Sequence, residues 1–586
     1  MRDKRVFLRL AALSILYVII AFFVSNPYYL LVLTLVPIWA TLGVSWNIFS
    51  GYSGLMSFGH AAFFGLGAYT VALLSARLAI SPWAGIPIAT VVGAVAGALI
   101  GAPTFRLRGH YFGLAMLAYP LALLYVFEWL GFQEVPIPMR REAPLAYMQF
   151  ADTRYYVIFA TALLVVAVLI GVRVSRSRFG LSLLAIKQNE LAADAAGINP
   201  FNWKLIALVL SGAVAGAAGG LYAVVLLVVS PPAVFGPLVS AQAVIFALFG
   251  GVGTIVGPVL GAATLVPVSE YLTAQLGDKL PGIQGVVYGV AIILVVILAP
   301  DGIVPRIAAR LAGKRKQANA GGGLLDTVPR EASARIKPEL SGEIAMSVKG
   351  LSKSYGGLQA VQDVTFDVYR GEILGIIGPN GAGKTTLFNL INGITRATSG
   401  EVIFGGRDIA RLKPHQICRG GIARTFQVAR PFANLTVLQN VVVGAFATET
   451  DEGRAFALAR TALDQVGLQA HAEALAGGLS TMQLRLMELA RALASRPQIL
   501  LLDEVLAGLG AQEVEHVMVA IQHIQARGIT IVIIEHTMHA MVRLADRLLV
   551  LNHGQVLTIG DPATITNEQV VIDAYLGKKW STRAKH

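Results

Sequence analysis

The chain has 586 residues, room for several domains, and is 55% hydrophobic but only 14% charged, where a soluble protein carries roughly 25% charged residues. That shortage excludes a wholly water-soluble protein. It is also uneven, with long apolar tracts in the first half and an ordinary soluble mixture in the second, as in a bilayer-embedded part joined to a soluble part. The net charge of +13 sits largely beside apolar segments (MRDKR at the start, SRSRFG at 175–180, RIAARLAGKRKQ at 306–317). This is the pattern of cytoplasmic membrane flanks, and no basic–aromatic interleaving supports nucleic-acid binding. The single cysteine, Cys418, excludes an intramolecular disulfide and a cysteine-rich metal site, and fits a reducing compartment.

In chain order, the first apolar run, Val6 to Val24, follows Arg2, Lys4 and Arg5. It is longer than a signal-peptide core and no A-x-A-like site follows it, so it reads as a retained first transmembrane helix. Further spans are expected near 29–49, 60–79, 84–103, 111–131, 155–173, 204–229, 238–251, 254–272 and 284–300. The basic N-terminus, FRLRGH (105–110), VRVSRSRFG (172–180) and the second half all belong inside, which requires an even number of crossings. The stretch 236–272 must therefore cross twice or dip in and out, breaking at GGVGT (250–254). Eight to ten spans are expected. GYSGLMSFGHAAFFGLGAYT (51–70) and LSGAVAGAAGGLYA (210–223) carry small residues that let helices pack closely in lipid. His60, His110 and Asn47 interrupt the apolar pattern; His60 either lines the pathway or sits at the membrane interface. The amphipathic segment 180–203 reads as a docking helix for a soluble partner or as a solvated loop helix. Residues 306–344 form a flexible tether containing ANAGGG and two prolines. These features divide the chain into a membrane domain (1–305), a linker (306–344) and a soluble domain (345–586).

In the soluble half, EILGIIG (372–378) is a buried strand, GPNGAGKTT (378–386) follows, and LFNLING continues as a helix. G-x-x-x-x-G-K-T between a strand and a helix is a phosphate cradle. The backbone of Gly378, Pro379, Asn380, Gly381, Ala382 and Gly383 wraps the phosphates, Lys384 reaches the terminal ones, Thr385 holds Mg²⁺ and Thr386 follows. QILLLDE (498–504) is a second buried strand, with Asp503 at its C-terminal end, where α/β sheets bind ligands and where it can hold Mg²⁺. Glu504 follows and can polarise an attacking water. TIVIIEH (530–536) is a third strand, ending in Glu535 and His536. Gln427 lies between, in RTFQVARPF (424–432). LSTMQLRLMELARALA (479–494) reads as a helix capped by Ser480, with Leu and Met on one face and Arg on the other.

These pieces, in this order over 345–578, resemble the ATPase domain of ABC transporters, and the tail LVLNHGQVLTIGDPATI…VIDAYLG is similar to the branch that serves branched-chain amino acid importers. The resemblance implies an α/β P-loop ABC ATPase that binds and hydrolyses ATP with Mg²⁺. It makes Glu504 the catalytic base, His536 the switch histidine and Gln427 the sensor of the γ-phosphate and a metal contact. Lys384 takes part in catalysis, Tyr355 in KSYGGLQAV stacks on adenine (read alone, it is a plain strand tyrosine), and Ser480 and Gln483 lie in the signature element. The sequence departs from the pattern at Met482, where the signature usually has glycine, at Val505, usually proline, and at Gly510, usually Asp or Asn. In this family two such domains sandwich two ATPs, each held by one P-loop and the other chain's signature, so pairing with a different ATPase would leave one site competent and one impaired.

The first half carries its own resemblance. GYSGLMSFGHAAFFGLGAYT, RLRGHYFGLAMLAYPLAL (106–123), SRFGLSLLAIKQNELAADAAGIN (178–199) and GGVGTIVGPVLGAA (250–263) are similar to the permease of the same importers, across 30–302. This implies an all-α polytopic domain in the bacterial inner membrane, with the N-terminus and ATPase cytoplasmic. It also implies a coupling helix at 183–199, a second permease, a second ATPase or a homodimer, and a periplasmic binding protein that delivers a hydrophobic amino acid to this lipid-embedded chain. The loop 132–153 fits the pattern poorly. Alternatives are the same machine for urea or short-chain amides, and an ATP-binding gate or receptor without efficient hydrolysis, suggested by Met482 and Gly510.

Overall fold

The structure, a computed structural model, describes residues 2–107, 109–140, 142–280, 282–299, 302–311 and 342–576. Most of the expected linker (312–341), the KRKQ flank and Arg108 of FRLRGH lie outside the described residues. Two compact units emerge: Met1–Lys187 with Phe201–Arg315, and Gln188–Pro200 with Lys316–His586.

The first unit is helical. Seven helices among the described residues are long and apolar enough to cross a membrane: Pro27–Gly51, His60–Leu78, Pro82–Thr104, His110–Trp129, Arg154–Ser175, Pro200–Leu226 and Pro231–Gly250. The other spans expected from the sequence fall on the shorter apolar helices Leu10–Phe23 and Ile283–Val295 and on Gly257–Leu276. GGVGT does break the chain: one helix ends at Gly250 and the next starts at Gly257. Non-helical backbone at membrane depth must find its partners within the protein. Asn47 supplies them here, its Nδ2 donating to Thr254 O at 2.9 Å and its Oδ1 accepting from Gly253 N at 2.8 Å.

The small-residue segments meet backbone to backbone. A Cβ on Gly93 would collide with the carbonyl of Gly212, and one on Gly67 with that of Gly216. No side chain fits between these helices, which is how helices associate in lipid without a hydrophobic drive. Gly93→Leu is therefore expected to lower the thermal unfolding midpoint and the yield of monodisperse protein, at a cost of about 1–3 kcal/mol or more; an unchanged midpoint would contradict this packing.

His60 is fully buried. Ser211 Oγ donates to Ser45 O at 2.6 Å, so it must accept from His60 Nε2 at 2.7 Å. The proton is thereby placed on Nε2, and Nδ1 accepts from Ser57 Oγ at 3.1 Å. Nε2 thus ties the helix His60–Leu78 to Pro200–Leu226, and Nδ1 fixes the loop that precedes it.

The second unit is built on a six-stranded sheet in the order 555–560, 547–552, 373–377, 530–534, 499–503, 422–424. The first pair is antiparallel and the others are parallel. Ile373–Ile377, Ile499–Asp503 and Thr530–Ile534 are buried at every position, as expected of strands covered on both faces. A four-stranded antiparallel sheet, Leu358–Tyr369, Ile344–Tyr355, Ser399–Phe404 and Arg407–Asp408, packs against it through Val348, Phe366 and Leu374. The parallel register pairs Ile534 with Asp503, which brings Asp503, Glu504, Glu535 and His536 to one edge.

Candidate functional site

A cleft of about 780 Å³ opens at that edge, bounded by Tyr355, the loop 380–386, Gln427, Glu504, His536 and His553. The phosphate cradle has the expected form. Gly381 and Gly383 take left-handed φ values of 82° and 100°, which glycine adopts without strain. The helix Lys384–Ile391 starts directly behind Gly383, so its free N–H groups face the cleft with Thr385 and Thr386 in its first turn. Lys384 Nζ donates to Gly378 O at 2.7 Å and Pro379 O at 3.0 Å. Burial pulls the Lys384 pKa down, while Glu504 and Asp503 pull it back up.

Glu504 is the centre of the arrangement. It is buried, and its φ of 49° is one that non-glycine residues seldom adopt. His536 Nε2 meets Glu504 Oε1 at 2.8 Å, and Gln427 Nε2 donates to Glu504 Oε2 at 2.9 Å. Gln427 and His536, singled out separately along the sequence, thus converge on the carboxylate of Glu504. Each carboxylate oxygen still has lone-pair capacity for a water proton. The Gln427 contact commits its amide nitrogen and leaves its carbonyl oxygen available.

Asp503 is 1% exposed. Its Oδ2 accepts from Arg424 Nη2 at 2.7 Å, and its Oδ1 has no hydrogen-bond partner among the described residues. Burial raises the Asp503 pKa and Arg424 opposes the rise. An orphaned buried carboxylate oxygen calls for a missing partner. The Thr385 hydroxyl and the Gln427 carbonyl oxygen, on residues that line the cleft, are hard oxygens of the kind that suits Mg²⁺, an ion usually held by a few protein oxygens and the substrate phosphates. Among the described residues no cluster of three His, Cys, Asp or Glu side chains forms an all-protein metal cage.

The signature residues lie apart from this cleft. Ser480 Oγ accepts from Gln483 N at 3.3 Å and Gln483 Oε1 accepts from Ser480 N at 3.0 Å, a reciprocal capping box on the helix Thr481–Ala494. Gln483 Nε2 also meets His471 Nε2 at 3.1 Å. The arginine face of this helix is buried. Arg485 and Arg491 are buried, with Glu488 between them on the same side. Arg485 donates to Phe426 O at 2.8 Å and Gln427 O at 2.6 Å. Glu488 Oε1 accepts from Arg430 N at 2.7 Å, and Arg491 donates to Arg430 O at 3.0 Å. Spacings of three and six residues put all three on one helical face, and that face holds the loop carrying Gln427. Sequence reasoning missed this triad, and also Arg424, Glu535 and His553.

The amphipathic segment 180–203 is two helices, Arg178–Gln188 and Glu190–Ala195, broken at Asn189, which caps the second. Residues 188–200 belong to the second unit. There Asp194 Oδ1 meets His415 Nδ1 at 2.6 Å, Arg419 Nε donates to Gly197 O at 2.9 Å, and Asn434 N donates to Gln188 Oε1 at 2.8 Å. Gly197 has a φ of 89°, and a Cβ there would press against Ala447.

Comparison with known proteins adds to this geometry. Residues 28–296 match the family model of the permease component of the branched-chain amino acid transport system, and residues 361–507 match that of the ABC transporter. The high-affinity branched-chain amino acid transport ATP-binding protein LivG of Escherichia coli K12 is 37% identical over 249 residues, covering 40% of this chain and 98% of LivG. BraF of Pseudomonas aeruginosa, described in the same words, is 36% identical with the same coverage. A crystal structure of a nucleotide-free ATP-binding cassette from an ABC transporter is 29% identical, with a TM-score of 0.38, covering 40% of this chain and all of that one.

Proposed function

Because the chain belongs to the ABC transporters, a permease domain and an ATP-hydrolysing domain of the branched-chain amino acid type in one polypeptide, we propose that it imports branched-chain and other hydrophobic amino acids. It would do so as part of a binding-protein-dependent complex in the bacterial inner membrane, with its N-terminus and ATPase domain in the cytoplasm. The observation that carries the catalytic part is the convergence of Gln427 and His536 on Glu504 beside the phosphate cradle.

In this reading Tyr355 stacks on adenine and the backbone of 378–383 holds the phosphates. Lys384 exchanges its loop carbonyls for phosphate oxygens, and Thr386 closes the cradle. Thr385, Gln427 and Asp503 hold Mg²⁺, which when bound would neutralise phosphate charge. Glu504 takes a proton from the attacking water, and His536 and Gln427 fix the direction in which its carboxylate points. Arg485, Glu488 and Arg491 hold the Gln427 loop in register with the helix that opens at Ser480.

Ser480 and Gln483 serve a partner's nucleotide, not the one in this chain's own cleft. Met482 crowds that contact and Gly510 removes a polar side chain from the neighbouring turn. Pairing with a second ATPase therefore leaves the competent site on this chain's P-loop, facing the partner's signature. Residues 188–200 carry coupling through Asp194–His415 and Gly197–Arg419. The loop 132–153, with exposed Met139 and Leu145, meets the binding protein beside a second permease.

Uptake by proteoliposomes tests the substrate. Labelled leucine, isoleucine and valine should accumulate only with ATP and the loaded binding protein, while urea and acetamide should not. Accumulation of urea or acetamide without the amino acids would refute the assignment.

A further inference from the structure

Glu535 ends the strand Thr530–Ile534 and is 2% exposed. Its Oε1 accepts from Leu506 N at 2.7 Å and its Oε2 from His536 N at 3.3 Å. One buried carboxylate therefore bridges the backbone of His536 and the turn two residues beyond Glu504. Glu504 N donates to Ile534 O at 2.9 Å on the other side. The strained backbone of Glu504 is thus held before it by a strand partner and after it by Glu535. Glu535 does not line the nucleotide cleft, so any effect on hydrolysis must act through its two partners.

We propose that Glu535 is a positioning residue for ATP hydrolysis, a clamp that presets the 2.8 Å contact between Glu504 and His536. This rests on the reading of Glu504 as the residue that polarises water. Small errors of placement are costly in such sites, on the order of a hundredfold in rate per ångström. The clamp needs two acceptor oxygens, hence an ionised carboxyl. Burial pushes the Glu535 carboxyl up to about 7 and neighbouring Glu504 adds to the rise, while the N–H groups of Leu506 and His536 and the Arg485 guanidinium oppose it. As pH falls through that range, one oxygen becomes a hydroxyl, a poorer acceptor for an N–H, and the clamp loosens.

The test uses the full chain co-purified with its partners in lipid nanodiscs. Glu535→Gln keeps the shape and one acceptor oxygen. It is expected to lower kcat about tenfold, roughly 1.4 kcal/mol, to leave the KM for ATP within about twofold, and to flatten the acid limb expected of wild-type turnover near pH 7. Wild-type kcat with the same limb would overturn the proposal. So would a fall in kcat with an unaltered limb and a lowered unfolding midpoint, the mark of a merely structural group. Glu535→Asp, which keeps the charge but shortens the reach, is the second variant: it should bind ATP normally and turn it over slowly, and wild-type turnover there would also overturn the proposal. Glu504→Gln, assayed alongside, separates the two claims: turnover lost there but wild-type in Glu535→Gln overturns the clamp alone, whereas turnover surviving in Glu504→Gln removes the premise that hydrolysis runs on this chain's Glu504.

Discussion

Replacing Glu504 with Gln is expected to reduce ATP turnover of the assembled transporter by at least about a hundredfold while leaving ATP binding intact. Removal of a positioned general base costs roughly two to four orders of magnitude. Glutamine keeps the shape that His536 and Gln427 hold, but it presents a neutral amide to the attacking water. The P-loop is untouched, so nucleotide should bind as before and remain bound. The size of the loss also reports on pairing. If the competent composite site uses this chain's P-loop, one substitution in this chain silences nearly all turnover, even with an unaltered partner ATPase. Turnover unchanged in a heteromeric complex would place the working site on the partner and refute the asymmetry proposed here.

The second large effect is on stability. Arg424 and Asp503 form an ion pair in which both side chains are almost wholly buried, 3% and 1% exposed. Arg424 also donates to Asn389 Oδ1 at 2.6 Å, on the helix behind the P-loop. Arg424→Ala leaves a buried carboxylate without its counter-charge, a change that costs about 3–5 kcal/mol. The soluble unit should unfold at a markedly lower temperature. The double variant Arg424→Ala/Asp503→Asn should recover part of that loss, because no uncompensated charge remains. A single variant as stable as wild type would show that the pair does not hold the strand edge together.

The phosphate cradle, Asp503, Glu504 and His536 could be picked out in the sequence because each sits at the end of a buried-strand pattern, whereas Gln427 carries little signal of its own and is reached only through the resemblance. Their convergence could be anticipated only through resemblance, since it depends on the parallel register that sets Ile534 beside Asp503. Arg424 illustrates the limit. In RTFQVARPF it looks like any loop-flanking arginine, and only the pairing of Ile422–Arg424 with Ile499–Asp503 brings it to Asp503. Periodicity sets the arginines of the helix Thr481–Ala494 on a face of their own, but it does not say whether that face meets solvent or a second polar backbone. Asn47 was visible as an exception in an apolar run, but its partners lie more than 200 residues away. Residues 188–200 were legible as amphipathic; their grouping with the ATPase unit follows from Asp194, His415, Gly197 and Arg419, contacts that no local pattern encodes.

The central claim is that hydrolysis in this chain answers to a delivered amino acid. ATPase activity of the co-purified complex in lipid nanodiscs, with and without leucine-loaded binding protein, tests it most directly. Turnover that rises with the loaded protein, and is absent from the Glu504→Gln complex under the same conditions, is the predicted result. Turnover indifferent to leucine but raised by urea or an amide would contradict the substrate, and no turnover with any ligand would contradict the transport ATPase itself.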